Sequence, residues 1–149
     1  LSVHLTNLAL VSLAIVMSLT IGLKTYVLIQ LPVLLMAGSA GIWLFYVQHQ
    51  FEGVYWERHE NWDFITAALN GASFYKLPKV LQWFSGNIGF HHVHHLSSRI
   101  PNYNLEKCHL ENKELQHNEP ITLVKSLKSL NYRLYDEAEH SLVSFANIK

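Results

Sequence analysis

The sequence predicts an all-α membrane protein: a two-helix transmembrane hairpin followed by a helical cytoplasmic region that carries a cluster of histidines. Three observations predict it. From Leu1 to Phe51 the only Lys, Arg, Asp or Glu is Lys24. Within that stretch, residues 5–23 and 26–47 form two apolar runs, each long enough at about 1.5 Å per residue to cross a hydrocarbon layer of about 30 Å. From Glu52 onward the chain turns polar, and at 90–95 it reads "FHHVHH".

The first run has no basic leader and is followed at once by a second, which argues against a signal peptide. The turn around "GLKT" (22–25) is short enough to make the two runs neighbours. Pro32 lies inside the second run, where neighbouring spans can absorb the defect it makes in a helix. "AGSAG" (37–41) offers small residues for close helix approach, and Trp43, Phe45 and Tyr46 stand where an interfacial aromatic belt belongs. Residues 1–51 are therefore expected to be the hairpin, and 52–149 a cytoplasmic metal-binding region. Arg58, Lys76 and Lys79, the basic residues after the second run, favour the cytoplasmic side. Zero net formal charge gives no electrostatic case for nucleic acid, and the lone Cys108 precludes an intrachain disulfide.

In the polar half, "ERHENWDF" (57–64) reads as a loop or the start of a short helix. Pro78 suits the first turn of a helix running toward the histidines, although Gly86 and Gly89 weaken a straight one. "SRIPNYNLEKC" (98–108) reads as a turn leading to another helix. Pro120 opens a segment with Ile121, Val124, Leu127 and Leu130 at helical spacing. "NYRLYDEAEHSLVSF" (131–145) fits a helix or a hairpin.

Four imidazoles within five positions point to a metal. On a helix, residues three and four apart share a face, so His91, His94 and His95 converge while His92 faces elsewhere. Imidazole serves Zn, Cu, Fe and Ni alike, so the cluster could form one zinc site or part of a polynuclear iron site. His49, at the end of the second run, is a further candidate ligand. Glu52, Asn87 and Asn104 are candidates to orient the ligand rings. His4, His109, His117 and His140 read as unrelated to the cluster, and His59 as a neighbour or a solvated residue.

The run "GNIGFHHVHHLSSRIPNYNL" (86–105), with "FYVQHQFEGVYWER" (45–58) ahead of it, closely resembles the membrane fatty-acid desaturases, and among them the bacterial acyl-lipid desaturases. The resemblance covers essentially the whole chain. Members carry three histidine boxes that hold two irons. The third has the form H-x-x-H-H, matched by His91, His94 and His95, and a further histidine after the last span is matched by His49. The resemblance implies an oxidoreductase of lipid metabolism that introduces a double bond into an acyl chain. It further implies a di-iron centre, dioxygen as co-substrate and electrons from a ferredoxin-like or cytochrome-type donor. The expected partners are membrane-lipid acyl chains (or acyl-CoA) and that donor. The expected placement is an integral, multi-pass membrane protein with the histidine box on the cytoplasmic side.

The chain departs from the family pattern in one respect. The first two boxes precede the last pair of spans in the family, whereas only His4 stands ahead of His49 here. With Leu1 rather than Met at its start, the sequence is expected to be the C-terminal half of a desaturase, inactive without the N-terminal half that would carry the other boxes. Two readings compete within metal chemistry: a related membrane di-iron hydroxylase or ketolase, and a non-catalytic His-rich metal-binding membrane protein. Ligands inside the spans would favour the latter, yet residues 5–47 contain no Asp, Glu or His. A zinc hydrolase lacks a clear acid or base beside the cluster.

Overall fold

The computed structural model describes residues 1–147 and divides into two compact units, residues 1–42 and the chain from Trp43 onward. The first holds helix α1 (Ser2–Ile21) and most of α2 (Leu23–His49). Both are long and apolar enough to cross a membrane, and no residue of the first unit is buried. Gly22, at φ 86°, separates them in a backbone conformation that a side chain would disfavour. Three hydroxyls of α1 are satisfied locally: Thr6 donates to the Ser2 carbonyl at 3.0 Å, Ser18 to Ala14 at 2.6 Å and Thr20 to Val16 at 2.9 Å. That arrangement suits a helix whose sides meet hydrocarbon, where an unpaired polar group is costly. Helix α2 runs unbroken through Pro32. Neither helix has a buried residue within this unit.

The second unit is mainly short helices around a small core. Helix α3 (Phe64–Asn70) starts where Asp63 accepts from the Thr66 amide at 2.8 Å and its hydroxyl at 2.7 Å. It ends at Gly71, where a Cβ would collide with the Ala67 carbonyl. Strand β1 (Tyr75–Lys76) leads into α4 (Lys79–Phe84). The continuous helix suggested for 77–98 does not form. Gly86 and Asn87 take φ of 63° and 58°, and this left-handed turn separates α4 from α5 (His91–Leu96). Helix α6 (Asn102–Glu111) follows Pro101.

The segment after Pro120 is helical from Leu123 to Asn131 and departs from its helical reading only at the start. Ile121 and Thr122 form strand β2, parallel to β1 with Tyr75 opposite Ile121. Helix α7 (Leu123–Ser126) and a 3-10 turn (Leu127–Asn131) come next. The ambiguous C-terminal stretch is a hairpin of β3 (Leu134–Asp136) and β4 (Ser141–Val143). The described chain is therefore mostly helical but not all-α.

Phe90, Val93, Leu105 and Leu115 form the buried core, with Leu69, Phe74, Leu96, Ile100 and Cys108 packed around them. Helix α5 thus presents one side to the core through His92 and Val93. Its opposite side carries His91 and His95, one turn apart.

Candidate metal centre

Two elements bring the site together. Helix α2 ends at His49, and its last turn is clamped to the core by Gln48. The Gln48 amide donates to the Ile88 carbonyl at 2.7 Å, and its own backbone carbonyl accepts from the Ser73 amide at 3.0 Å. Gln48 is buried. Helix α5 supplies the other two rings.

The Nε2 atoms of His49, His91 and His95 form a near-equilateral triangle. The edges are 3.2 Å (His49–His95), 3.3 Å (His91–His49) and 3.1 Å (His95–His91). Three nitrogens bound to one ion at about 2.0–2.1 Å would lie roughly 3.0–3.4 Å apart, so the triangle has the size of a metal face. The tautomer of His49 agrees with that role. The Nδ1 of His49 lies 2.8 Å from the Phe45 carbonyl, which can only accept, so the proton sits on Nδ1 and the Nε2 lone pair is free. A cation resolves the repulsion that bare lone pairs at this spacing would otherwise suffer.

Burial and the neighbouring rings favour the neutral form of His91 and His95. Burial, helped by His95, His49 and His94, pushes the His91 imidazole down to about 3. Burial and then His49 and His94 lower His95. Neutral imidazole is the form that binds a metal. His91 is buried, His49 half-buried and His95 exposed, so the triangle opens on the His95 side.

The structure brings His49, His91 and His95 together and leaves His94 beside them. The His94 ring stacks on His91, centroids 5.7 Å apart and planes 22° from parallel, and adds no nitrogen to the triangle. The candidate orienting residues lie elsewhere: Glu52 accepts from the Tyr132 hydroxyl at 3.0 Å, Asn87 donates to the Asn102 carbonyl at 3.1 Å, and Asn104 is exposed in α6. His4, His59 and His117 are exposed, and His140 lies 3.4 Å from Glu57.

Sequence reading missed two residues. Gln48 carried no signal beyond its place next to His49. His109, read as unrelated, is buried with its Nδ1 3.1 Å from the Nε2 of His92. The same His92 nitrogen lies 3.1 Å from the Leu115 carbonyl. Burial, then His109, takes His92 down to about 4, against the opposing pull of that carbonyl. The pair ties α5 to α6 from the core side. Trp83 and Phe84, at the end of α4, are largely exposed.

A cleft of about 430 Å³ adjoins the triangle, with His95 in its wall among Tyr55, Trp56, Trp62 and Phe64, and with Ala67, Ala68 and Gly71 as small residues on its floor.

Two helices long and apolar enough to cross a membrane precede a unit in which three histidines are placed to hold a metal ion. The chain belongs to the fatty acid desaturase family, whose sequence model matches residues 1–124. It is 53% identical over 146 residues to a fatty acid desaturase of Bacillus subtilis (strain 168), an overlap of 98% of this chain and 42% of that protein. It is 30% identical over 106 residues to the sn-1 oleoyl-lipid 12-desaturase of Picosynechococcus sp., covering 67% of this chain and 30% of that one. A 72-residue stretch, 48% of this chain, is 36% identical to the chloroplastic omega-6 fatty acid desaturase of Glycine max and covers 16% of it. The chain thus spans less than half the length of these relatives. No solved structure matches it.

Proposed function

We propose that this chain is the histidine-bearing C-terminal part of an acyl-lipid desaturase that places a double bond in the acyl chain of a membrane lipid. The observation that carries the reading is the triangle of His49, His91 and His95, in a chain of the desaturase family. Iron bound there, with a second iron completed by ligands outside this chain, would supply the oxidising power to remove two hydrogens from adjacent unactivated methylenes. Electrons come from a separate donor of the ferredoxin or cytochrome type, in keeping with the family resemblance.

The chain's own residues hold and shape. The Phe45 carbonyl fixes the His49 ring with its Nε2 outward. The Val93 side of α5, set in the core, aims His91 and His95 away from it. Tyr55, Trp56, Trp62 and Phe64 offer apolar surface for an acyl chain beside His95, in an open cleft that Glu57 also lines. Helices α1 and α2 span the bilayer as a hairpin, with the histidines on the cytoplasmic side. An acyl-lipid substrate suits this placement because the chain to be oxidised is already in the bilayer; the Picosynechococcus relative is itself named for an oleoyl-lipid.

The test is expression of the intact protein in a desaturase-deficient membrane with a competent donor, followed by mass spectrometry of the lipids. A new double bond that disappears with His95→Ala is the expected result. Oxygenated acyl chains instead would identify a hydroxylase, and unchanged lipids with metal still bound would overturn the enzymatic reading.

A further inference from the structure

The second unit exposes more large apolar side chains than its small core explains. One group borders the His95 cleft, and two others lie in segments that leave the same end of the β1–β2 pair. In α4, Val80, Trp83 and Phe84 are 66%, 74% and 75% exposed. In the segment 123–131, Val124, Leu127 and Leu130 are 78%, 59% and 45% exposed, at positions three apart. Because β1 and β2 run parallel with Lys76 opposite Thr122, both segments set off from one end of the strand pair.

Two further features select the surface that meets them. The first is depth. The Tyr46 hydroxyl donates to the Ser129 carbonyl at 3.1 Å. Tyr46 belongs to the aromatic end of α2, with Trp43 stacked near it at a centroid distance of 6.4 Å. On the membrane placement proposed above, Tyr46 belongs to the interfacial level that Trp and Tyr favour, and this bond ties the 3-10 turn to it. The second is charge. Lys76 and Lys79 flank the α4 face, and Lys125 and Lys128 flank the other. Lys125 pairs with the exposed Glu119 at 3.2 Å, while Lys128 makes no ion pair among the described residues. Both lysines line an open cleft of about 440 Å³, which also holds Glu52, itself engaged by Tyr132.

We infer that the segment 123–131, together with α4, is an in-plane membrane anchor: its apolar side chains enter the headgroup boundary of the leaflet and its lysines contact anionic lipid headgroups. The inference rests on the membrane placement proposed above and extends it to residues outside the two spans. Apolar side chains on one side with lysines beside them are what an interfacial segment requires. Each lysine near an anionic surface favours it roughly fivefold. An anchor here holds the histidine unit flat against the bilayer, with the His95 cleft at a fixed depth.

The test uses the intact protein in vesicles, with Cys108→Ser as background and an environment-sensitive fluorophore on single introduced cysteines. With Leu127→Cys, brominated lipid should remove most of the emission and aqueous iodide little. With Lys107→Cys, on the exposed side of α6, iodide should quench instead. Brominated phosphatidylglycerol should quench position 127 more than brominated phosphatidylcholine at equal fraction, and Lys125→Gln with Lys128→Gln should abolish that difference. Iodide quenching at 127 would overturn the anchor, because the face would meet water. Quenching by neither agent would also overturn it, because another part of the polypeptide or a protein partner would cover the face. Equal quenching by the two lipids in the unsubstituted-lysine protein would overturn the anionic contact. Met36→Cys, in the middle of α2, separates the two readings: lipid quenching there without it at 127 sinks the anchor alone, and its absence at both sinks the membrane placement.

Discussion

The side-chain amide of Gln48 donates to the carbonyl of Ile88 at 2.7 Å, and this bond fastens the end of α2 to the chain entering α5. His49 follows Gln48 and His91 lies three residues beyond Ile88, so the bond sets the distance between the two sources of the triangle. Gln48→Leu keeps the bulk of the side chain but strands the Ile88 carbonyl. A buried polar group left unpaired costs about 1–3 kcal/mol. The expected outcome is a protein that still folds but binds iron more weakly, by roughly 10- to 100-fold as for other residues that orient ligands. Iron titration of the purified protein checks this, and Gln48→Glu, which cannot donate when ionised, should behave like the leucine variant.

His92 stands back to back with the triangle. Its ring is fully buried between His109 and the Leu115 carbonyl. From the sequence, its place off the shared face suggests that His92→Ala is milder than loss of a ligand. The structure changes that expectation: the substitution opens a cavity and leaves two polar groups without a partner. A loss of about 2–4 kcal/mol follows from those two effects together. Thermal unfolding in detergent should show it as a clear fall in midpoint, whereas His95→Ala, at an exposed ring, should leave the metal-free midpoint nearly unchanged.

The pH response of the metal-free protein follows from the same burial. His91 and His92 sit at about 3 and about 4 in the folded chain, against an ordinary value of 6.5. Between those values the unfolded chain binds more protons than the folded one, so stability rises with pH. Their contribution is fully present above about pH 6.5 and is lost as pH falls toward 4 and then 3. Unfolding midpoints of chelator-treated protein should therefore drop steadily from pH 7 to pH 4. The slope should shrink in His92→Gln, whose side chain carries no titrating group.

The histidine face was legible because it is local. A helix places positions 91 and 95 together whatever surrounds them, and the apolar runs announce α1 and α2 by length alone. The rest depends on contacts between distant segments. Gln48 matters through Ile88, forty residues away, and His109 through His92, seventeen away. Nothing in the polar run around His109 distinguishes a core histidine from a solvated one. At 121–130 the periodicity held for Val124, Leu127 and Leu130, which lie in helical turns, but not for Ile121, which β1 claims as a strand partner. There the apolar spacing marks an exposed face and not a buried one.

The position of His94 separates two roles within one box. Its ring lies against His91 but gives no nitrogen to the triangle, whereas His49, His91 and His95 each give one. Loss of any triangle member removes a donor from the same ion, so His49→Ala and His95→Ala should each abolish double-bond formation and the metal held there. The double variant should be no worse than either single one, because residues that act as a unit are not additive. His94→Ala should also abolish activity, since a second iron needs its own donors. It should nevertheless leave the triangle's nitrogens in place, with roughly one metal ion per chain retained. Metal analysis of the three purified variants, alongside lipid mass spectrometry, decides the matter. Complete metal loss in His94→Ala would show that its nitrogen joins the triangle's ion when the enzyme is assembled. Full activity in that variant would remove His94 from the ligand set.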